Sequence, residues 1–133
     1  MIYLLKILLV EDEKDILNLF QKFFKNNGFH VSAFLEPLLA VQEFMKNNDD
    51  NDYDLVISDI RMPEMNGIEL ASIIRKKNKD IPIILMTAYN TIDIEPSILK
   101  SLNIEDIITK PIKLKELIEK INTVKQKIIV KNS

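Results

Sequence analysis

The stretch "LVISDIRMPEMNGIEL", residues 55–70, decides how this chain reads. Its apolar run stops on Asp59, and Pro63 and Gly67 follow before helical spacing resumes at Ile68. A lone aspartate after a strand is ordinarily a turn residue or a helix cap. The weight of Asp59 therefore depends on what the other strand ends carry.

Working outward, four further short apolar runs bracket this one: "KILLV" (6–10), "HVSAF" (30–34), "IILM" (83–86) and "DIIT" (106–109), with "LVIS" (55–58) as the third of the five. The first, third and fourth are almost continuously apolar, as strands covered on both faces of a parallel sheet are. The second is mixed and suits an edge. Between the runs the spacing turns helical. Ile16, Leu17, Leu19, Phe20, Phe23 and Phe24 mark a first helix stopped by Gly28, and Leu38, Val41, Phe44 and Met45 mark a second, closed by the polar turn "NNDDND". Ile68, Ala71, Ile73 and Ile74 mark a third, and Leu114, Leu117, Ile118, Ile121 and Val124 a last one behind Pro111. Pro96 is placed best at the first position of a short fourth helix ending near Leu102, with Asn103 as its left-handed cap. Five strands alternating with five helices predict a parallel, doubly wound α/β sheet.

Composition bounds the rest. A chain of 133 residues with 47% hydrophobic content fits a single domain with one sizeable core. Its 18 basic and 20 acidic residues leave a formal charge of −2, which points neither to nucleic acid nor to an anionic membrane. Without cysteine there is no disulfide, thiolate nucleophile or cysteine-ligated metal. The apolar start "MIYLLKILLV" is interrupted by Lys6 and ended by "EDE", so it reads as a first strand and not as a leader or membrane span. A soluble, cytoplasmic protein is expected.

In open α/β sheets ligands bind beyond the carboxyl ends of the strands, so the residues that end each run matter most. Run one ends in Glu11, Asp12 and Glu13, run three in Asp59, run four in Thr87 and Ala88, and run five in Lys110 and Pro111. Clustered carboxylates repel unless a cation lies among them, and magnesium is the hard ion that takes one or two carboxylates together with a phosphate. A carboxylate beside such an ion can act as a nucleophile toward phosphorus. Lys110 and Thr87 then offer an ammonium and a hydroxyl to the equatorial oxygens of a transferring phosphoryl group.

With "VEDE" at the first run, "LVISDIRMPEMNG" at the third, "MTA" at the fourth and "TKP" at the fifth, the sequence resembles the receiver domain of two-component response regulators, over about residues 6–127. The resemblance implies a flavodoxin-like (βα)5 fold with strand order 2-1-3-4-5. It implies Asp59 as the phosphoacceptor and Thr87 and Lys110 as the switch hydroxyl and phosphoryl-binding lysine. Magnesium (Mg2+) would be held by Glu11, Asp12, Asp59 and the backbone carbonyl of Arg61. Arg61 and Tyr89 would flank the phosphate and tune its hydrolysis, and the Lys110–Pro111 peptide would be cis. Receivers often carry an aromatic ring three residues before the motif lysine. Here that residue is Ile107, so a signal from Thr87 must pass through backbone or aliphatic repacking.

The implied activity is a phosphorylation-activated switch that takes a phosphoryl group from a histidine kinase, a phosphotransfer protein or a small acyl phosphate, and changes partner binding. It would catalyse its own modification without being a turnover enzyme. The alternatives are a pseudo-receiver that docks partners without phosphoryl chemistry, and a magnesium-dependent aspartyl-phosphate phosphatase, whose D-x-D nucleophile pattern after the first strand "VEDE" does not offer. Residues 1–127 are expected to form the receiver, and 128–133 a tail or the start of a linker. Ile128, Ile129 and Val130 would extend the last helix, open a linker or serve a dimer. A stand-alone receiver, monomeric or a phosphorylation-linked dimer, and a domain cut from a longer chain with a separate output domain both fit. His30 fills a strand position, and the charges Arg75, Lys76, Lys77 and Lys79 are expected to be solvated at the end of the third helix.

Overall fold

Each apolar run folds as a strand: β1 (Lys6–Val10), β2 (His30–Phe34), β3 (Leu55–Asp59), β4 (Ile83–Thr87) and β5 (Asp106–Thr109). The computed structural model describes residues 3–46, 53–88 and 94–132, so the turn "NNDDND" and Tyr89 lie outside the described residues. Five helices alternate with the strands: α1 (Lys14–Asn26), α2 (Pro37–Lys46), α3 (Gly67–Lys77), α4 (Pro96–Ser101) and α5 (Leu114–Asn132). The strands form one parallel sheet in the order β2-β1-β3-β4-β5, the order that the resemblance implies. Strands β3 and β4 each run one residue beyond the stretches 55–58 and 83–86 read from the sequence, so Asp59 and Thr87 are held by the sheet itself.

Period-two alternation divides the core between the two faces. Ile7, Leu9, Ile57, Ile84 and Met86 pack with Leu17, Phe20 and Phe24 of α1 and Leu117, Ile121 and Val124 of α5. Leu8, Val10, Val56, Ile83 and Leu85 pack with Ala40 and Phe44 of α2 and Leu70, Ala71 and Ile74 of α3. Gly28 takes a φ of 84° after α1, Pro96 opens α4, and Asn103 adopts a φ of 52°, as the punctuation predicts. Helix α5 continues through Ile128, Ile129 and Val130, with Ile128 packed against the core.

Two expectations are corrected. Helix α2 buries Pro37, Ala40 and Phe44, while Leu38 and Met45 are exposed, because the small Ala40 sits on the stripe that meets the sheet. The charges ending α3 are not all solvated. Arg75 donates from Nε to the Leu102 carbonyl (2.6 Å), from Nη2 to that of Asn103 (3.1 Å) and from Nη1 to that of Asn78 (3.2 Å). Lys77 Nζ donates to the carbonyls of Phe44 (2.8 Å) and Met45 (3.1 Å) and lies over the Phe44 ring. These two cations satisfy carbonyls at the C-terminal ends of α4 and α2, which their own helices leave without partners.

Candidate functional site

The carboxyl ends of β1, β3 and β4 and the residue after β5 meet at one edge of the sheet. Glu11 follows β1 and is fully buried, its main-chain N–H donating to Phe34 of β2 at 3.1 Å. Its Oε2 accepts the Glu13 N–H at 3.0 Å, and its Oε1 accepts from Lys110 Nζ at 3.0 Å. The same ammonium lies 2.9 Å from Asp59 Oδ1. The Lys110 N–H donates to the Thr87 carbonyl at 2.7 Å, and its peptide bond to Pro111 is cis, as expected.

Asp59 is 3% exposed, and although Lys110 is close, neither carboxylate oxygen has an aligned hydrogen-bond donor among the described residues. Buried oxygens without donors are rare and call for a physical reason. Burial, reinforced by the neighbouring Glu11 and partly offset by Lys110, pushes the Asp59 carboxyl up to about 8. For Glu11 burial acts in the same direction, but the neighbouring Asp59 carboxyl, the Glu13 N–H and the Lys110 ammonium outweigh it and hold the group below the usual carboxylate range. Lys110 is raised, since its two carboxylate partners overcome its own desolvation.

Glu11, Asp12 and Asp59 each bring a carboxylate oxygen to within 4.8 Å of the others. Asp12 is exposed, so this cluster opens to solvent on one side. An all-oxygen donor set, two of whose buried oxygens lack donors, fits a hard divalent cation such as magnesium. Thr87 is buried at the end of β4, and Arg61 is exposed two residues past Asp59. The structure thus brings Glu11, Asp12, Asp59 and Lys110 into one cluster, with Thr87 bonded to it through the main chain; Tyr89 lies outside the described residues. His30 is exposed at the start of β2, on the opposite edge of the sheet from the site.

The loop after Asp59 does more than turn the chain. Gly67 donates to the Ile60 carbonyl at 2.7 Å, and a Cβ added at Gly67 would stand 2.2 Å from the Asp59 carbonyl oxygen. Asn66 and Glu69 form a reciprocal capping box that starts α3 at this point. The N-x-x-E spacing of Asn66 and Glu69 carries that signal in the sequence. Gly67's close approach has no local signature beyond the glycine itself.

The family model of the response regulator receiver domain matches residues 7–122. Among curated relatives, the transcriptional regulatory protein ZraR of Klebsiella oxytoca is 35% identical over 95 residues, which are 71% of this chain but 20% of that protein. The chain therefore spans about one fifth of that relative's length. Among solved structures, a receiver domain protein from Clostridium thermocellum is 25% identical with a TM-score of 0.84, covering 95% of this chain and 99% of that one. The response regulator TrrA of Thermotoga maritima, solved in complex with Mg(2+)-BeF, is 36% identical with a TM-score of 0.77, covering 91% and 99%. No helix of the described residues is long and apolar enough to cross a membrane. With its four strand-end motifs gathered at one sheet edge and its fold and sequence matched along most of its length, the chain belongs to the receiver domains of two-component response regulators.

Proposed function

We propose that this chain is a phosphorylation switch in which Asp59 accepts the phosphoryl group of a histidine kinase phosphohistidine, a phosphotransfer protein or a small acyl phosphate. The observation that carries the reading is the buried Asp59 carboxylate, without an aligned donor, beside Glu11, Asp12 and the Lys110 ammonium. Glu11, Asp12, Asp59 and the Arg61 carbonyl are the residues that would hold magnesium. When bound, that ion neutralises the carboxylate cluster and the charge on the phosphoryl oxygens.

Asp59 attacks as its ionised carboxylate, the form that the Lys110 ammonium favours, and one of its oxygens forms the new P–O bond. The P–N bond to the donor imidazole, or the P–O bond to acetate, breaks, and the leaving group departs with the bonding electron pair. Lys110 holds one oxygen of the phosphoryl group, and the Thr87 hydroxyl hydrogen-bonds another. Both are positioned by rigid strand ends, so that little reorganisation accompanies transfer. Beside Lys110 a groove of about 450 Å3, lined by Ile16, Leu19, Phe20 and Pro111, offers an apolar seat for the donor protein. Downstream, the phosphorylated form would engage a target protein or an output domain.

The test is the intact mass of the chain after incubation with magnesium and acetyl phosphate, repeated with Asp59→Asn. A gain of one phosphoryl group that the substitution abolishes is the expected result. No gain favours a docking module without phosphoryl chemistry, and steady release of phosphate over many turnovers favours a phosphatase.

A further inference from the structure

The side chain next to Asp59 is the anomaly of the second core face. Ser58 is fully buried, and its strand neighbours in register are Val10 and Leu85, both in the apolar cluster under α2 and α3. Burying a hydroxyl among aliphatic side chains opposes folding unless the hydroxyl is hydrogen-bonded. Ser58 Oγ spends its one proton on the main-chain carbonyl of Asp59, at 2.9 Å. That is the carbonyl against which Gly67 is pressed; the N–H of the same peptide, that of Ile60, and the carbonyl of the next peptide are each hydrogen-bonded as well. Ile60 donates to Met86 at 2.8 Å and accepts from Gly67 at 2.7 Å.

Successive strand side chains point to opposite faces, so Ser58 does not share the face from which the Asp59 carboxylate meets Lys110. Its hydroxyl acts on the Asp59 main chain, from the opposite face of the sheet. From this we infer that Ser58 is a positioning residue: its hydroxyl fixes the Asp59 carbonyl, and thereby the direction in which the carboxylate leaves the strand. The inference rests on Asp59 being the phosphoacceptor. An attack geometry lost by about 1 Å can slow transfer by as much as 100-fold. A strand-end peptide that is free to rock would lose part of that.

The experiment compares wild type, Ser58→Ala, Ser58→Thr and Asp59→Asn. Single-turnover phosphorylation by acetyl phosphate with saturating magnesium is followed by intact mass, and amide exchange of Ile60 and Gly67 is followed by NMR without magnesium. For Ser58→Ala the maximal rate is expected to fall about tenfold with an unchanged half-saturating acetyl phosphate concentration, the two amides exchanging faster. Ser58→Thr, which keeps the hydroxyl, is expected to recover most of the rate. A Ser58→Ala chain that is phosphorylated as fast as wild type overturns the inference, whatever its exchange. Slower transfer with unchanged exchange overturns the route through the main chain. A wild type that gains no mass, or that gains it equally in Asp59→Asn, overturns the phosphoacceptor assignment as well.

Discussion

Gly67→Ala isolates the link between Asp59 and the helix that follows it. The substitution adds one methyl group and, since Gly67 does not adopt a positive φ, asks nothing unusual of the backbone. Its Cβ would lie 2.2 Å from the Asp59 carbonyl oxygen and 3.0 Å from both the Asp59 carbonyl carbon and the Ile60 Cα. All three are main-chain atoms, so no side chain can rotate away. Relief needs about 1 Å of relative movement before carbon and oxygen return to van der Waals contact. The Asp59 side of the contact is held by β4 and by Ser58, so part of the movement falls on the start of α3 and stretches the Gly67 to Ile60 hydrogen bond. Overpacking of this kind costs about 1–3 kcal/mol, and a weakened buried hydrogen bond about 1 kcal/mol more. The better helix propensity of alanine returns at most about 1 kcal/mol. A net loss of about 1–3 kcal/mol is expected in urea denaturation at constant m. Phosphorylation by acetyl phosphate is expected to slow by about 10- to 100-fold, since the movement passes directly to Asp59. Stability within about 0.5 kcal/mol of wild type, together with an unchanged rate, would refute the claim that α3 is wedged against the Asp59 peptide.

Other consequences are as direct. Because burial raises the Asp59 carboxyl to about 8, its contribution to stability is fully present below the unfolded value of 3.8 and is lost as pH rises through about 8. Asp59→Asn, which cannot ionise, is therefore expected to gain stability over wild type progressively between pH 4 and about 8 without magnesium, levelling off above that. Thermal melts across pH would contradict this if the difference were flat. Arg75→Ala removes three hydrogen bonds to carbonyls and is expected to cost about 2 kcal/mol, with amide exchange accelerated around residues 98–104. Arg75→Lys should rescue little of it, because one ammonium cannot reproduce the planar fork; full rescue would show that charge alone matters.

What the sequence carried and what it hid divide along a physical line. A parallel strand covered on both faces must be apolar, so the residue that ends the apolar run reports the sheet edge. Asp59, Thr87 and Lys110 were legible for that reason, and so were Pro96 and Asn103, whose backbone preferences are local. Contacts between elements leave no such trace. Arg75 and Lys77 have the composition of a solvated helix end, yet each reaches a neighbouring helix, because the C-terminal carbonyls of α4 and α2 come within reach only after the sheet is wound. Leu38 looked like core by spacing and is exposed, since Pro37, Ala40 and Phe44 already fill the stripe that meets the sheet.

The residues around Asp59 show the same division at closer range. The carboxylate is aimed by groups on both sides of the sheet: Lys110 and Glu11 lie beside its oxygens, while Ser58 and Gly67 touch its main chain. The first pair has recognisable chemistry and a recognisable place at strand ends. The second pair consists of a small hydroxyl inside an apolar strand and a glycine inside a loop, both of which read as filler in one dimension. Their role follows only from the distances to one carbonyl oxygen, 2.9 Å for the hydroxyl that exists and 2.2 Å for the methyl group that does not. If this division holds, substitutions at Lys110 will alter both how the phosphoryl group is bound and how fast it is taken up. Substitutions at Ser58 and Gly67 will slow uptake and leave the acetyl phosphate dependence where it was.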